Sequence, residues 1–177
     1  NDRGAESHPF LGYNYRISEL NAAVGVAQLQ RLDAFLEIQE KNYRILEQAI
    51  QEVPAVTLRR IPETGVQNYS FLNFFMPSET KARETHRALL EAGLDGSFYW
   101  YDNNWHYHRK WDHLKNQVSL GKLPQEVRNR LNNADKQDFS LSDHWMGRAI
   151  SVLVKIGWSE EQVSGRAARL QRVLRDI

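Results

Sequence analysis

The 177-residue chain contains no cysteine, so it forms no disulfide and no thiolate metal site. This is compatible with a reducing compartment, and we predict a cytoplasmic location. The chain also has little excess charge: its formal net charge is +1, which does not favour nucleic acid or an anionic membrane as a partner. The longest apolar runs, such as 150–154, are too short to cross a bilayer. There is no initiator methionine or signal peptide, and the polar loop at 1–9 leads us to expect part of a longer protein.

The first third of the sequence has helical periodicity. Apolar spacing predicts a helical stretch over 18–53, with Ser18 as its N-cap and Pro54 ending it. This length exceeds that of most globular helices, so we expect a break near Leu32–Asp33, where small residues give way to charged ones. The part before the break is predicted to be an interface helix, and the part after it an amphipathic connector.

The remainder alternates between short strands and helices. Composition predicts helices at 79–92 and 159–174, capped by Ser78 and Ser159, a helical turn at 142–146, loop with short helix over 112–138, and strands at 56–61, 69–76, 97–101 and 149–154. This order predicts an α+β fold, with the long interface and connector helix followed by a small, mostly antiparallel sheet that carries helices on one face.

A polar loop precedes the first helix. Asn14 and Arg16 lie within three positions of each other, and an amide beside a guanidinium suits a phosphate or a carboxylate. The start of the helix behind Ser18 also attracts anions. The same residues are also typical of a polar turn that caps an ordinary helix, and their chemistry alone favours this second interpretation.

A second unusual stretch is 99–111, which interleaves aromatic rings with amides, histidines and basic side chains. Aromatic faces and planar amides suit a sugar, but a packed loop at a domain interface would have the same composition, and the residues do not decide between them. Base stacking is disfavoured by the flat net charge. His106 and His108 lack a carboxylate at convincing spacing, so we expect no metal site. Ser142-Asp143-His144 has the residue types of a catalytic triad, but not as neighbours in sequence.

The stretch Gly12-Tyr13-Asn14-Tyr15-Arg16-Ile17-Ser18-Glu19-Leu20-Asn21, together with 28–33, resembles the signature of the DegT/DnrJ/EryC1/StrS family of pyridoxal-phosphate-dependent sugar aminotransferases. Trp105-His106 is similar to the family's Pro-Leu-His segment, and 150–163 is similar to its closing strand, turn and helix. Residues 2–9, 98–101 and 103–107 most resemble the branch that makes 8-amino-3,8-dideoxy-manno-octulosonate. That branch aminates an oxidised form of the lipopolysaccharide sugar 3-deoxy-manno-octulosonate (Kdo), with glutamate as donor.

The resemblance implies roles for several residues. The fold would be the C-terminal part of a fold-type I aminotransferase, with 1–32 ending the large cofactor domain and 33–177 forming the small domain. In the family's homodimers Asn14 would reach the partner subunit's cofactor phosphate, and Arg16 would help to hold this loop or an anionic group of the substrate. The resemblance assigns the substrate, a sugar without a nucleotide, to the residues Tyr13, Tyr101, Asn104, Trp105 and His106.

The sequence also departs from a complete enzyme of this family. The lysine that binds the cofactor covalently lies upstream of the Asn14 loop in the family, and none of the seven lysines here has the corresponding surroundings. The resemblance therefore implies that this chain contains no catalytic residue and is inactive alone. The alternative is a non-catalytic sugar-binding or regulatory module built from the same half of the fold.

Overall fold

In a computed structural model of the chain, the structure describes residues 17–103, 107–134 and 138–177. It divides into two compact units, Asn1–Phe35 and Leu36–Ile177. The predicted assignment of 1–32 to a large cofactor domain and 33–177 to a small domain remains a prediction.

The first unit contains helix α1, Glu19–Leu29. Its N-cap is the predicted Ser18, whose hydroxyl accepts a hydrogen bond from the Asn21 amide at 3.2 Å. None of its residues is buried, and large apolar side chains such as Leu20 are exposed by as much as 75%. A helix that is apolar around its circumference is ordinarily covered in a folded protein.

Helix α2, Leu32–Ile50, follows after a break at Gln30 and Arg31, so the predicted interruption is confirmed two residues before the expected point. Its second half buries Tyr43, Leu46 and Ile50. The amide of Asn42 donates to the Lys155 carbonyl at 2.9 Å, which joins α2 to the far end of the chain. The connector predicted from the charge pattern is therefore an integral part of the second unit's core.

The second unit is built on a four-stranded antiparallel sheet in the order β1-β2-β4-β3, and the predicted fold class is confirmed. Its strands are β1 (Thr57–Leu58), β2 (Phe71–Phe75), β3 (Ser97–Phe98) and β4 (Ala149–Leu153). The helices are α3 (Glu79–Glu91), α4 (Asp112–Lys115), α5 (Gln125–Ala134), α6 (Ser140–Met146) and α7 (Glu160–Arg175).

One face of the sheet forms the main core. Leu72 and Phe74 alternate with half-buried residues along β2. Ile150 and Val152 lie beside them on β4, with Ser151, which is also buried, between them. These side chains join one apolar cluster with residues of α2, α3 and α7, such as Leu46, Leu89 and Leu170. Burial of this cluster fixes which face each strand turns inward, because a shift of one residue would reverse every side chain.

All four predicted strands are shorter in the structure, and two of them are much shorter. Residues 56–61 pair only at Thr57 and Leu58, at the edge of the sheet, and Pro62 then removes a backbone donor. The strand predicted at 97–101 ends at Phe98, after which Trp100–Asp102 form a 3₁₀ helix. Trp100 stacks on Phe98 at 4.6 Å, and its indole N–H donates to the Ser151 hydroxyl at 2.7 Å. The segment therefore folds over the second face of the sheet instead of extending it.

Candidate functional site

Tyr101 is the only predicted substrate-binding residue within the described residues, and it lies half-buried in the 3₁₀ helix that follows β3. Asn14 and Arg16, predicted for the cofactor, lie outside the described ranges. So do the other residues predicted to contact the substrate, which are Tyr13, Asn104, Trp105 and His106.

A cavity of about 370 Å³ opens beside Tyr101. It lies between the beginning of α3, the 3₁₀ helix, α6 and the turn into β4, and its lining consists of Pro77, Ser78, Glu79, Tyr101, Ser140, Asp143, His144, Gly147 and Arg148. A second cavity is lined by residues of 59–71, and a third, at the β3 edge, includes Tyr99 and Trp100 of the 99–111 stretch. Neither contains Tyr101. The cavity at Tyr101 is therefore the candidate site.

The α3 side of the cavity is fixed by local capping. The Ser78 hydroxyl accepts a hydrogen bond from the Lys81 amide at 3.2 Å, as its predicted N-cap role requires. Glu79 follows in the first turn and accepts from Arg83 Nη2 at 2.8 Å. Arg83 also binds Asp102 and lies over the Tyr99 ring at 5.1 Å. The carboxylate at this wall is thus already paired with a cation.

The opposite wall is formed by α6 and the turn after it. Arg148 Nε donates to the Met76 carbonyl at 2.6 Å, which ties the turn to the end of β2. Arg148 Nη1 lies 2.7 Å from His144 Nε2. Because a guanidinium can only donate, His144 accepts at Nε2 and carries its proton on Nδ1 in this arrangement. Asp143 accepts hydrogen bonds from Tyr107 and Arg109, so this carboxylate is also paired.

Tyr101, which lines this cavity, carries a protonated hydroxyl. Burial raises the pKa of Tyr101, and the nearby carboxylates of Asp143 and Glu79 raise it further. The hydroxyl therefore stays neutral through the physiological range and can both donate and accept. It forms no hydrogen bond to another residue in the described part of the chain, which leaves it available to a ligand.

The cavity is suited to a hydroxyl-rich ligand. Its two carboxylates are neutralised by Arg83 and Arg109, so they offer acceptor oxygens without an uncompensated charge. Hydroxyls at Tyr101, Ser78 and Ser140 add groups that donate and accept. Among the described residues, no three His, Asp or Glu side chains lie close enough together to hold a metal ion.

Most of the lining was not predicted from the sequence. Asp143 and His144 were noted only as residue types of a triad, and Glu79 and Arg148 were not singled out. Asp143 and Tyr107 lie 36 positions apart along the chain, so no local pattern could join them. The pairing arises because α6 precedes β4, which lies next to β3 in the sheet, and the 3₁₀ helix follows β3.

Comparison with known proteins identifies the family. The model of the DegT/DnrJ/EryC1/StrS aminotransferase family matches residues 1–165. The chain belongs to this family. The predicted resemblance is confirmed at that level, whereas the 8-amino-Kdo branch remains a proposal.

Two curated relatives cover parts of the chain. A GDP-4-keto-6-deoxy-D-mannose 3-dehydratase of Yersinia pseudotuberculosis is 32% identical over 94 residues, which is 51% of this chain and 23% of that protein. The lipopolysaccharide biosynthesis protein RfbH of Salmonella typhimurium is 36% identical over 62 residues, 32% of this chain and 14% of that protein. The matched regions are thus less than a quarter of each relative's length.

Solved structures of other proteins share the fold. A 3-amino-5-hydroxybenzoic acid synthase superposes with a TM-score of 0.63 at 18% identity, covering 99% of this chain and 44% of that one. PseC of Helicobacter pylori, an aminotransferase involved in pseudoaminic acid biosynthesis, superposes with a TM-score of 0.64 at 14% identity. This match covers 100% of this chain and 43% of that one. The present chain therefore corresponds to less than half of each of these structures. No helix in the described ranges is long and apolar enough to cross a membrane.

Proposed function

We propose that the chain is the C-terminal portion of a pyridoxal-phosphate-dependent aminotransferase that transfers an amino group from an amino acid to a keto sugar. The observation that carries this proposal is the cavity at Tyr101, in which paired carboxylates and hydroxyls suit a polyhydroxylated ligand, within a chain of an aminotransferase family. We propose the 8-oxo form of Kdo as the sugar and glutamate as the donor, in a cytoplasmic step of lipopolysaccharide sugar synthesis.

The cavity does not fit the cofactor itself. Its lining includes no lysine for covalent attachment. When bound, pyridoxal phosphate supplies the electron-withdrawing ring that amino-group transfer needs. We assign the cofactor mainly to an N-terminal portion of the family fold. Asn14 and Arg16 would contribute to its phosphate from the other subunit.

In this proposal α1 is part of a homodimer interface. Its exposed apolar side chains include Leu20, Val24 and Leu29, at 75%, 54% and 69%. Gly25 has no neighbouring atom within 4 Å of the position a Cβ would take, so another backbone could approach closely here. Burying such side chains contributes about 1.5–3 kcal/mol each.

A second candidate reaction follows from the Yersinia relative, which is a dehydratase of a keto sugar. The same sugar pocket could then serve removal of water instead of amination. The third candidate is the non-catalytic sugar-binding module. Product analysis separates these: amination adds nitrogen to the sugar, dehydration removes one water from it, and a module leaves it unchanged.

The test uses this chain fused behind the cofactor-binding portion of a family member, with Asn14→Ala as the variant. We expect the variant to retain less pyridoxal phosphate after gel filtration, as measured by absorbance, because one donor to the phosphate is lost. Gln28→Ala, also in the first unit but not predicted to contact phosphate, is the control. Equal retention by wild type and Asn14→Ala would refute the phosphate role.

A further inference from the structure

The Asp143 carboxylate accepts hydrogen bonds from a segment far away in the sequence. Its Oδ1 accepts from the Tyr107 hydroxyl and from Arg109 Nε, the latter at 2.6 Å, while Oδ2 accepts from Arg109 Nη2. The arginine therefore binds the carboxylate with two parallel donors, an arrangement that fixes direction as well as distance. Tyr107 is only 5% exposed, so its side chain is shielded from bulk water.

The ring of Tyr107 packs against Tyr101. Their centroids lie 5.2 Å apart with an angle of 39° between the planes. On another side, Tyr99 meets Tyr101 edge-on at 6.1 Å, and the Tyr99 hydroxyl donates to the Gly147 carbonyl at 2.8 Å. Tyr107 is thus hydrogen-bonded to α6, and Tyr99 is hydrogen-bonded to Gly147, the residue that caps the end of α6.

The hydroxyl of Tyr101 has no comparable hydrogen bond within the described residues. The direction of the Tyr101 side chain is therefore set by packing against Tyr99 and Tyr107 and by Arg83, whose guanidinium lies 6.0 Å from the ring centroid. Tyr107 and Arg109 are absent from the cavity lining, whereas Tyr101 and Asp143 belong to it. A change at Tyr107 can therefore reach a ligand only through the residues it holds.

We infer that Asp143 is a positioning residue, which acts through Tyr107 to hold the Tyr101 hydroxyl in the cavity for a ligand hydroxyl. The identity of that ligand as a sugar rests on the proposed function, but the positioning does not. If Asp143 only contacted the ligand directly, a change at Tyr107 would not reproduce the effect of changing Asp143. If Asp143 positions Tyr101 through Tyr107, the two changes should have the same effect.

The test compares Asp143→Asn, Tyr107→Phe and the double variant, with Glu126→Gln on α5 as a charge-neutralising control. Each chain carries 3-fluorotyrosine, and the Tyr101 signal is assigned by its loss in Tyr101→Phe. We expect the Tyr101 fluorine signal to shift or broaden in both single variants, and to stay unchanged in the control. Thermal melting monitored by circular dichroism verifies that every variant is folded.

The second readout is titration with Kdo. Loss of the positioning hydrogen bonds should weaken Kdo binding about tenfold in each single variant, and the double variant should be little worse, because both act through one contact. Weakening by Asp143→Asn alone, with Tyr107→Phe like wild type, would show direct contact and overturn the inference.

The two proposals fail separately. If the wild-type chain does not bind Kdo, the sugar assignment fails, and the fluorine signal still decides the positioning. If that signal stays unchanged in folded Asp143→Asn and Tyr107→Phe, Asp143 does not position Tyr101, whatever the affinity for Kdo.

Discussion

Tyr101 is the residue on which the candidate site depends most directly, through its hydroxyl. It faces a cavity with paired carboxylates, its pKa is raised by burial, and no described residue takes up its hydrogen-bonding capacity. A neutral phenol with these surroundings is a specific donor to a ligand hydroxyl.

Tyr101→Phe should therefore weaken Kdo binding without unfolding the chain. One net hydrogen bond is worth about 0.5–1.5 kcal/mol, so the dissociation constant should rise about 2- to 12-fold by calorimetric titration. Tyr43→Phe, in the α2 core, provides the matched control and should bind as wild type does. An unchanged affinity in Tyr101→Phe would remove Tyr101 from the site.

The buried Tyr43 leads to a prediction about the free energy of unfolding at alkaline pH. Burial, reinforced by Glu47, raises the pKa of Tyr43 to about 12. The unfolded chain loses this proton near pH 10 and the folded chain does not, so stability is fully present below about pH 10 and falls between about 10 and 12. The slope contributed by this group reaches about 1.4 kcal/mol per pH unit.

Urea unfolding at pH 9 and pH 11 measures that loss. Tyr43→Phe, which cannot ionise, should lose less stability than wild type between these two values. Buried Tyr99, whose pKa is also raised by burial, should cause part of the loss of stability at alkaline pH in both proteins. An equal loss in wild type and Tyr43→Phe would show that Tyr43 ionises as freely in the folded chain as in the unfolded one.

At the scale of elements, helix ends were the most predictable feature. Ser18, Ser78 and Ser159 were each placed at an N-cap from the sequence, and each side chain accepts the expected backbone hydrogen bond. Capping depends on residues within three positions of one another, which the sequence displays directly. Gly93, which directly follows the predicted helix at 79–92, adopts a φ of +74°, a conformation in which glycine avoids the steric cost of a side chain.

Strand ends and the cavity were harder to predict because they depend on distant partners. Aromatic composition favoured a strand through Tyr101, but contacts of Trp100 with Phe98 and with Ser151 turn the chain after Phe98. The partnership of Asp143 with Tyr107 likewise exists only once β3 and β4 are paired. Local propensity contains no information about either contact.

Helix α7 offers a stability test of its capping box, in which Ser159 and Gln162 bind each other's backbone amides. Ser159→Ala should reduce the free energy of unfolding by about 1 kcal/mol, measured in urea. Ser164→Ala, at an exposed position within the same helix, is the matched control, and alanine's higher helix propensity should leave stability equal or slightly higher. Equal effects of the two substitutions would show that the box contributes nothing.

At the scale of the whole molecule, the first unit leaves an apolar helix exposed while the second has its own core. We expect the chain to self-associate through α1, and Val24→Asp to lower the associated fraction in sedimentation velocity, since a charge would be buried in the interface. Val118→Asp introduces the same change at an exposed position of the second unit and should have no effect. Identical sedimentation of the two variants would argue against α1 as the interface.

The central claim is that this chain completes an enzyme that moves an amino group to a keto sugar. The most direct measurement fuses the chain behind a family cofactor-binding portion and supplies pyridoxal phosphate, ¹⁵N-labelled glutamate and 8-oxo-Kdo. The account predicts a sugar product that carries the ¹⁵N label in mass spectrometry, and none when either the chain or glutamate is omitted. A folded, cofactor-loaded fusion that returns the sugar without nitrogen, whether unchanged or dehydrated, would contradict it.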